Sequence, residues 1–276
     1  MSFQQAGQAT PAPFGRRLAR VSRNERVGAY RLLWVQDPDG APTPEPCAGQ
    51  FAMIAAAQRW GAGLDERPYL PRAFSIARRT GEGQYGFLIE DVGPGTARLC
   101  ALQAGEGLWV LGPLGRGFTR APEDHRTILL GGGIGIAPLM ILQDQIEAAG
   151  GLAHSATLLG FRGREHAQAA SLLRDPEMAT DDGSLGHAGL VTDLLTRHLE
   201  DGAPAVVRAC GPPAMLESVR AICERRGVPA ELALEAGMAC GYGACYGCAV
   251  PRRGGSYLRV CVDGPVLDAC ELERVS

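Results

Sequence analysis

The sequence predicts a chain of three parts: a small β-barrel, a doubly wound α/β domain and a short cysteine-rich domain at the C-terminus. Short strands broken by Gly and Pro fill the first half, a pattern typical of small barrels. Strands and helices then alternate, as in a parallel sheet covered on both faces. Five of the nine cysteines follow position 239 and mark the third part. The length of 276 residues also favours more than one domain.

The barrel is predicted over residues 16–122, after a loose tail at 1–15 that is rich in Gln, Ala, Pro and Gly. Alternating apolar residues predict strands at Val27–Val35, Gln84–Glu90 and Leu108–Leu111. Arg72–Ser75 presents a guanidinium, a ring and a hydroxyl on successive strand positions, and arginine suits a diphosphate. A surface ion pair is the plainer interpretation of this arginine.

The α/β domain is predicted over residues 123–233. A strand at Thr127–Leu130 leads into Gly131–Gly135 and then a helix with Pro138 in its first turn. Such a turn can bring backbone N–H groups to a phosphate. However, it is not G-x-G-x-x-G, and no acidic residue closes a second strand about 20 residues on, so a packing turn is an equal alternative. A later strand, Ala205–Ala209, ends at Cys210–Pro213, where open sheets bind ligands.

The cysteine-rich domain is predicted over residues 234–276. Cys240, Cys245, Cys248 and Cys261 follow the spacing C-x4-C-x2-C-x12-C, whose first three members match plant-type [2Fe–2S] ferredoxins. Glycines among them allow a tight wrap that directs backbone N–H groups at sulfur. A four-cysteine zinc site is the alternative, although zinc sites usually pair two C-x2-C hooks. The sequence predicts small apolar roles for four of the five cysteines outside this set, namely Cys47, Cys100, Cys223 and Cys270.

Composition excludes several classes of function. All 27 basic residues are arginine, which rules out lysine nucleophiles, Schiff bases and a P-loop lysine. The net charge of −3 gives no basic surface for nucleic acid or anionic membranes. The apolar stretch Ile128–Leu142 is short and rich in glycine, and the first residues lack the apolar core of a secretion signal. We therefore expect a cytoplasmic protein that binds neither nucleic acid nor membrane.

The order of these motifs resembles the ferredoxin–NADP reductase superfamily. The motifs that carry this resemblance are Ala48–Phe51, Arg72–Ser75, Gly95–Thr96, Gly112–Phe118, Gly131–Gly135 and Cys210–Pro213. The C-terminal segments Glu235–Cys248 and Cys261–Val266 resemble, more narrowly, the electron-transfer subunit of class B, NAD-dependent dihydroorotate dehydrogenases. The resemblance covers about residues 20–268.

The resemblance implies a β-barrel that holds FAD, an α/β domain that binds NAD and a C-terminal [2Fe–2S] domain. The residues it implies for FAD are Arg72, Ala73, Phe74, Ser75, Leu88, Ile89, Glu90, Gly95 and Thr96. Those implied for NAD are Gly132, Gly133 and Gly135 at the diphosphate, with Cys210, Gly211 and Pro212 near the nicotinamide. The four clustered cysteines would bind the iron.

The resemblance also implies a division of labour with a partner. An FMN-containing catalytic subunit would oxidise dihydroorotate, and electrons would pass through the cluster and FAD of this chain to NAD⁺, in a heterotetramer of two chains of each kind. No side chain here need act as an acid or base, so no catalytic residue is assigned, and the five histidines are expected at the surface or in caps. Arg162 and Arg164 are candidates for an NADP 2′-phosphate, or are plain loop arginines.

Two alternatives remain open at this point. The chain could be a self-sufficient reductase for a ferredoxin, oxygenase or hydrogenase. It could instead be a zinc-stapled binding module without enzymatic activity. Iron analysis would distinguish this module from an electron-transfer subunit and from a self-sufficient reductase.

Overall fold

A computed structural model describes residues 16–38, 45–61, 68–80 and 83–273. The predicted tail at 1–15 therefore lies outside the described residues. Six antiparallel strands close a barrel in the order β1-β2-β5-β4-β3-β6. The short helix α1 (Pro94–Cys100) lies between β5 and β6 in the sequence. The barrel strands are β1 (Arg17–Val27), β2 (Tyr30–Gln36), β3 (Phe51–Ala56), β4 (Arg72–Thr80), β5 (Gln84–Glu90) and β6 (Gly107–Leu114).

The strand predicted at Val27–Val35 is present as β2 from Tyr30 onward, but its predicted start is wrong, because Val27 ends β1 and the chain turns at Gly28. Gly28 has φ +58°, which a side chain rarely adopts, and a Cβ there would lie 2.1 Å from the carbonyl oxygen of Glu165. The turn that ends the first strand thus also lets the barrel approach the α/β domain closely.

The α/β domain is built on a seven-stranded sheet with the order β10-β9-β8-β7-β11-β12-β15. Its strands and helices up to β12 are β7 (Arg126–Gly132), α2 (Ala137–Ala148), β8 (Ser155–Phe161), α3 (Arg164–Ala167), β9 (Glu177–Thr180), β10 (His187–Ala188), α4 (Val191–His198), β11 (Ala205–Cys210), α5 (Pro213–Arg226) and β12 (Ala230–Ala233). All pairings among these strands are parallel, so their carboxyl ends meet at one edge.

The C-terminal part contributes a hairpin of β13 (Ala249–Arg252) and β14 (Ser256–Arg259), followed by β15 (Val266–Asp268). β15 pairs antiparallel with β12 and so extends the large sheet. On its other side this part packs on the barrel through one apolar cluster, whose buried members are Phe51, Met53, Leu114, Cys248, Val260 and Cys261. The architecture of barrel, parallel sheet and cysteine-rich end confirms the predicted fold class.

Within the described part of the chain, no helix has the length and the apolar character that a membrane crossing needs.

Candidate functional site

A cavity of about 610 Å³ lies along the carboxyl edge of the parallel sheet. The sheet contributes residues that end its strands or follow them closely, among them Gly132, Gly133, Arg162, Asp181 and Pro212. Met215 lines the cavity from the first turn of α5. The barrel contributes Tyr30 and Glu90. The sheet edge predicted to bind a ligand therefore has a cavity, and the barrel forms part of its wall.

A smaller cavity, about 310 Å³, lies between the barrel and the cysteine-rich end. The side chains of β4 and β5 line it, with α1 nearby: Arg72, Ala73, Phe74, Ser75, Leu88 and Thr96. Gly135 lines it from the glycine turn, and Ala236 and Met238 line it from the segment that leads to Cys240. The structure thus brings the residues predicted for FAD next to those that precede the first cluster cysteine.

The two cavities share Glu90, Ile134 and Glu235 as lining residues. Glu235 is the second residue after β12 and lies at the same sheet edge as the glycine turn. Its side chain is open to the cavities, yet protein surrounds much of it, and burial raises the pKa of its carboxyl. The rule for the edges of parallel sheets could have identified Glu235 from the sequence as a site residue.

Arg72 is the cation of the smaller cavity. Its guanidinium lies 6.0 Å from the centre of the Trp60 ring, and Nη1 donates to the carbonyl oxygen of Leu70 at 2.8 Å. No carboxylate pairs with it among the described residues, unlike the surface ion pair that was the plainer interpretation. A Cβ at Gly95 would come within 3.0 Å of Arg72 Nε, so the glycine leaves the space in which the guanidinium lies.

Four predicted cofactor residues do not line either cavity. Ile89 is fully buried, because strand alternation turns it into the barrel while Leu88 and Glu90 face the cavity. Gly95 instead leaves the space that the Arg72 guanidinium occupies. Cys210 is buried, and burial and Glu235 raise the pKa of its thiol well above its usual range. Together with Gly211 it forms the support behind the cavity wall.

The glycine turn combines the two roles that the sequence left open. Gly131 is crowded by side chains, since a Cβ would lie 2.9 Å from Ile136 Cγ2. A Cβ at Gly135 would lie 2.4 Å from the carbonyl oxygen of Cys210. Gly132 and Gly133 line the larger cavity, although a Cβ at Gly132 would also lie 2.6 Å from Met215 Sδ. A 3₁₀ turn over Gly133–Ile136 then leads directly into α2.

A polar cluster that the sequence did not reveal lies where the barrel meets the larger cavity. Glu90 Oε1 accepts from Arg162 Nη2 at 2.7 Å and lies 3.2 Å from His166 Nε2. His166 packs edge-on against the Tyr30 ring with centroids 5.7 Å apart, so its prediction as a surface or capping residue is wrong. Tyr30 is 1% exposed and its hydroxyl has no hydrogen-bond partner in the described protein. These residues come from elements far apart in sequence, which no local pattern connects.

The four predicted cluster cysteines form two pairs. Cys248 and Cys261 are buried with their Sγ atoms 3.2 Å apart, and the backbone N–H of Val260 donates to the Cys248 carbonyl oxygen at 3.1 Å. Cys240 and Cys245 lie in the glycine loop, where Cys245 is exposed and hydrogen-bonds to the Cys240 thiol. Gly241 has φ +80° and packs against Met53, which holds this loop on the barrel.

The two pairs differ in their electrostatics. Partial burial raises the pKa of the Cys240 thiol, but backbone N–H groups, those of Tyr242 and Cys245 foremost, outweigh it and bring the pKa to about 6. Burial and the neighbouring Cys248 instead raise the pKa of Cys261 to about 12. Two pairs of thiolates suit a cluster of two irons, each of which takes two cysteine sulfurs. Among the described side chains, no group of three or more His, Cys, Asp or Glu is arranged around one metal-ion position.

The cysteines outside this set divide by exposure. Cys223 is buried and Cys100 is half-buried, as expected for small apolar side chains. Cys47 and Cys270 are exposed, so the apolar role predicted for them is wrong. Cys270 lies on a 3₁₀ turn, where its backbone N–H donates to Asp268 Oδ1 at 2.9 Å.

Residues 235–273 match the family model of the iron–sulfur cluster binding domain of dihydroorotate dehydrogenase B. The chain is 40% identical over 234 residues to the "Dihydroorotate dehydrogenase B (NAD(+)), electron transfer subunit" of Geobacillus kaustophilus, covering 81% of this chain and 86% of that protein. It is 35% identical over 259 residues to the protein of the same name in Caldanaerobacter subterraneus subsp. tengcongensis, covering 92% and 97%.

Solved structures share the fold. An NADH-dependent reduced ferredoxin–NADP oxidoreductase superimposes with a TM-score of 0.76 at 24% identity, covering 95% of this chain and 92% of that one. The ferredoxin reductase of carbazole 1,9a-dioxygenase gives a TM-score of 0.65 at 20% identity, covering 79% and 68%.

Proposed function

Because the chain belongs to the family of electron-transfer subunits of NAD-dependent dihydroorotate dehydrogenase B, we propose that it passes electrons between a dihydroorotate-oxidising partner subunit and NAD in pyrimidine biosynthesis. An electron-transfer subunit works with a catalytic partner. The observation that carries the proposal is the meeting of the two cavities at Glu90, Ile134 and Glu235, with the cysteine loop beginning five residues after Glu235. Three redox groups in contact would require such a junction.

The smaller cavity has the features that FAD needs. Arg72 offers a guanidinium that no carboxylate of the described residues pairs with, and Ser75 and Thr96 offer hydroxyls on the same wall. Phe74 and Leu88 provide apolar surface for a ring system. We assign Arg72, Ala73, Phe74, Ser75, Leu88, Glu90 and Thr96 to FAD contact, with Gly95 and Ile89 as the residues that position them.

The larger cavity has the features that a dinucleotide needs. Gly132 and Gly133 present backbone at the N-terminal side of α2, a place that favours a diphosphate. The Tyr30 hydroxyl is buried without a partner among the described residues, and it would lie 3.8 Å from a Cβ placed on Gly133. A buried hydroxyl that lacks a partner costs about 1–3 kcal/mol, and a bound NAD would supply the missing acceptor. Pro212 lies toward the nicotinamide, with Cys210, Gly211 and Gly135 supporting the wall.

We assign the [2Fe–2S] cluster to Cys240, Cys245, Cys248 and Cys261. The buried pair of Cys248 and Cys261 holds one side against the barrel, and the glycine loop holds the other pair near the surface. FAD, when bound, exchanges two electrons with a nicotinamide and single electrons with an iron–sulfur cluster. The side chains of this chain bind and orient these groups, and none needs to act as an acid or base.

The partner is, in this proposal, an FMN-containing catalytic subunit, and two copies of each chain form a heterotetramer. Cys245 is exposed and Tyr242 and Tyr246 beside it are 61% and 62% exposed, so the cysteine loop is the part of the electron path that a partner can reach. We place the protein in the cytoplasm, where thiols stay reduced, because all nine of its cysteines are free.

The test is isolation of the native protein with whatever accompanies it. We expect a copurifying subunit that releases FMN on acid treatment, and a complex that reduces NAD⁺ with dihydroorotate. A chain that purifies alone, oxidises NADH and reduces a ferredoxin or an oxygenase component instead would contradict the proposal in favour of a self-sufficient reductase. A colourless protein with stoichiometric zinc would contradict both.

A further inference from the structure

The larger cavity follows five neighbouring strand ends. Along the edge of the sheet these ends carry Asp181 after β9, Arg162 after β8, Gly133 after β7, Pro212 after β11 and Glu235 near β12. Neighbouring strands lie about 4.8 Å apart, so the five ends span roughly 19 Å. With the diphosphate at the central glycine and the nicotinamide on the side of Pro212, the adenosine of a dinucleotide reaches the side of Arg162 and Asp181.

The arginines at this adenosine end already have acceptors. Arg162 Nη2 donates to Glu90 Oε1 at 2.7 Å, and Arg164 Nη2 donates to the carbonyl oxygen of Ser184 at 2.5 Å. Glu90 is itself fixed by its strand position opposite Tyr30 and by His166. A 2′-phosphate that approached the Arg162 guanidinium would compete with Glu90 for it.

The two adjacent aspartates after β9 are used differently. Asp182 builds its own loop: Oδ1 accepts from the Ser184 backbone N–H at 2.9 Å, and Oδ2 would lie 2.3 Å from a Cβ on Gly163. Asp181 is held by its backbone, whose N–H donates to the Phe161 carbonyl oxygen at 3.0 Å beside the end of β8. Among the described residues, no hydrogen bond or ion pair engages the Asp181 carboxylate, and the residue lines the cavity.

We propose that Asp181 makes this site specific for NAD(H) over NADP(H), by accepting a hydrogen bond from the adenosine ribose and repelling a 2′-phosphate. The proposal rests on the proposed function, since it presupposes a dinucleotide in the larger cavity. A ribose 2′-hydroxyl is a donor that a carboxylate can accept, whereas a phosphate there brings about two negative charges toward a third. The acid follows the third strand of the domain instead of the second, so the usual spacing of about 20 residues does not find it.

The test uses Asp181→Asn and Asp181→Ala in the holoprotein, with dye reduction by NADH and by NADPH. Asparagine keeps an acceptor but removes the charge, so we expect a near-normal KM for NADH and a kcat/KM for NADPH raised about tenfold. Alanine removes both, so the KM for NADH also rises about tenfold, while kcat is unchanged. Glu177→Gln is the matched control, because it removes one charge at the opposite end of β9, where Glu177 pairs with His198 at 2.8 Å. This variant should leave the KM for NADH and the kcat/KM for NADPH unchanged.

Binding of redox-inactive fragments gives a second readout. In calorimetry the wild-type protein should bind 5′-AMP more tightly than 2′,5′-ADP, and both Asp181 variants should narrow that gap. The inference would be overturned if both variants kept the wild-type ratio of kcat/KM for NADH to that for NADPH, and the wild-type ratio of affinities for 5′-AMP and 2′,5′-ADP. The proposed function would then remain intact. A wild-type protein that prefers NADPH, and loses that preference in Arg162→Gln, would overturn the inference as well. A wild-type holoprotein that oxidises neither dinucleotide would instead contradict the proposed function.

Discussion

The nucleotide cavities and the cysteine loop are built from opposite kinds of structure. The larger cavity opens at the ends of parallel strands, of which the central two, β7 and β11, are almost entirely buried. Residues 239–247 form only bends and turns, with glycines at positive φ and exposed side chains between them. Regular structure shapes the cavities without any ligand, whereas the loop packs on the barrel at Gly241 and would depend on the cluster assigned to its cysteines. A substitution that disrupts the cysteine loop should therefore leave the nucleotide cavities intact, and the reverse should also hold.

The largest expected effect is the separation of the two regions by Cys245→Ser. This change removes an exposed cysteine that we propose as a cluster ligand, and it touches neither cavity. We therefore expect the visible absorption of the cluster to disappear while FAD-dependent NADH–dye activity survives. Cys270→Ser, another exposed cysteine of the C-terminal part, is the control and keeps both signals. Loss of absorption and dye activity together would show that the regions are not independent.

The two cysteine pairs should differ in their contribution to folding. Cys248 is 2% exposed in the apolar cluster with Phe51 and Met53, so Cys248→Ser buries a hydroxyl there. We expect the free energy of unfolding of the iron-free protein to fall by about 1–3 kcal/mol. Exposed Cys245→Ser should change it by less than about 0.5 kcal/mol. Equal losses in denaturant unfolding would show that the glycine loop is as tightly packed as the buried pair.

A smaller effect is expected from Tyr30→Phe in the wall of the larger cavity. The hydroxyl has no hydrogen-bond partner in the part of the chain that the structure describes, so its removal should leave the thermal midpoint equal or higher while raising the KM for NADH about two- to tenfold. Tyr85→Phe is the matched control, because the Tyr85 hydroxyl accepts from Arg17 Nη2 at 2.5 Å inside the barrel. That variant should lower the midpoint and leave the KM unchanged. An unaltered KM in Tyr30→Phe would mean that the hydroxyl does not contact the dinucleotide.

Local pattern predicted the regular elements well. Gln84–Glu90 has the predicted bounds of β5, and α2 begins beside Pro138 and ends before Gly150 as the capping residues indicate. The turn at Gly28 was missed, because alternation continued across it and only contact with the α/β domain reveals why glycine stands there.

The residues of the candidate site also divide into those that the sequence identified and those that it did not. Cysteine spacing identified the four candidate ligands, but their division into a buried and an exposed pair depends on a hairpin that returns Cys261 to Cys248. Tyr30 and His166 meet across two domains, and Asp181 follows a strand of only four residues with no clear apolar run. Such residues carry no signal in their own neighbourhood of the sequence.

The most direct test of the account is the iron and acid-labile sulfide content of protein isolated without oxygen. We expect about two irons and two sulfides per chain, with an electron paramagnetic resonance signal that develops on reduction by NADH. Stoichiometric zinc, or protein that folds and binds FAD with neither iron nor sulfide, would contradict it.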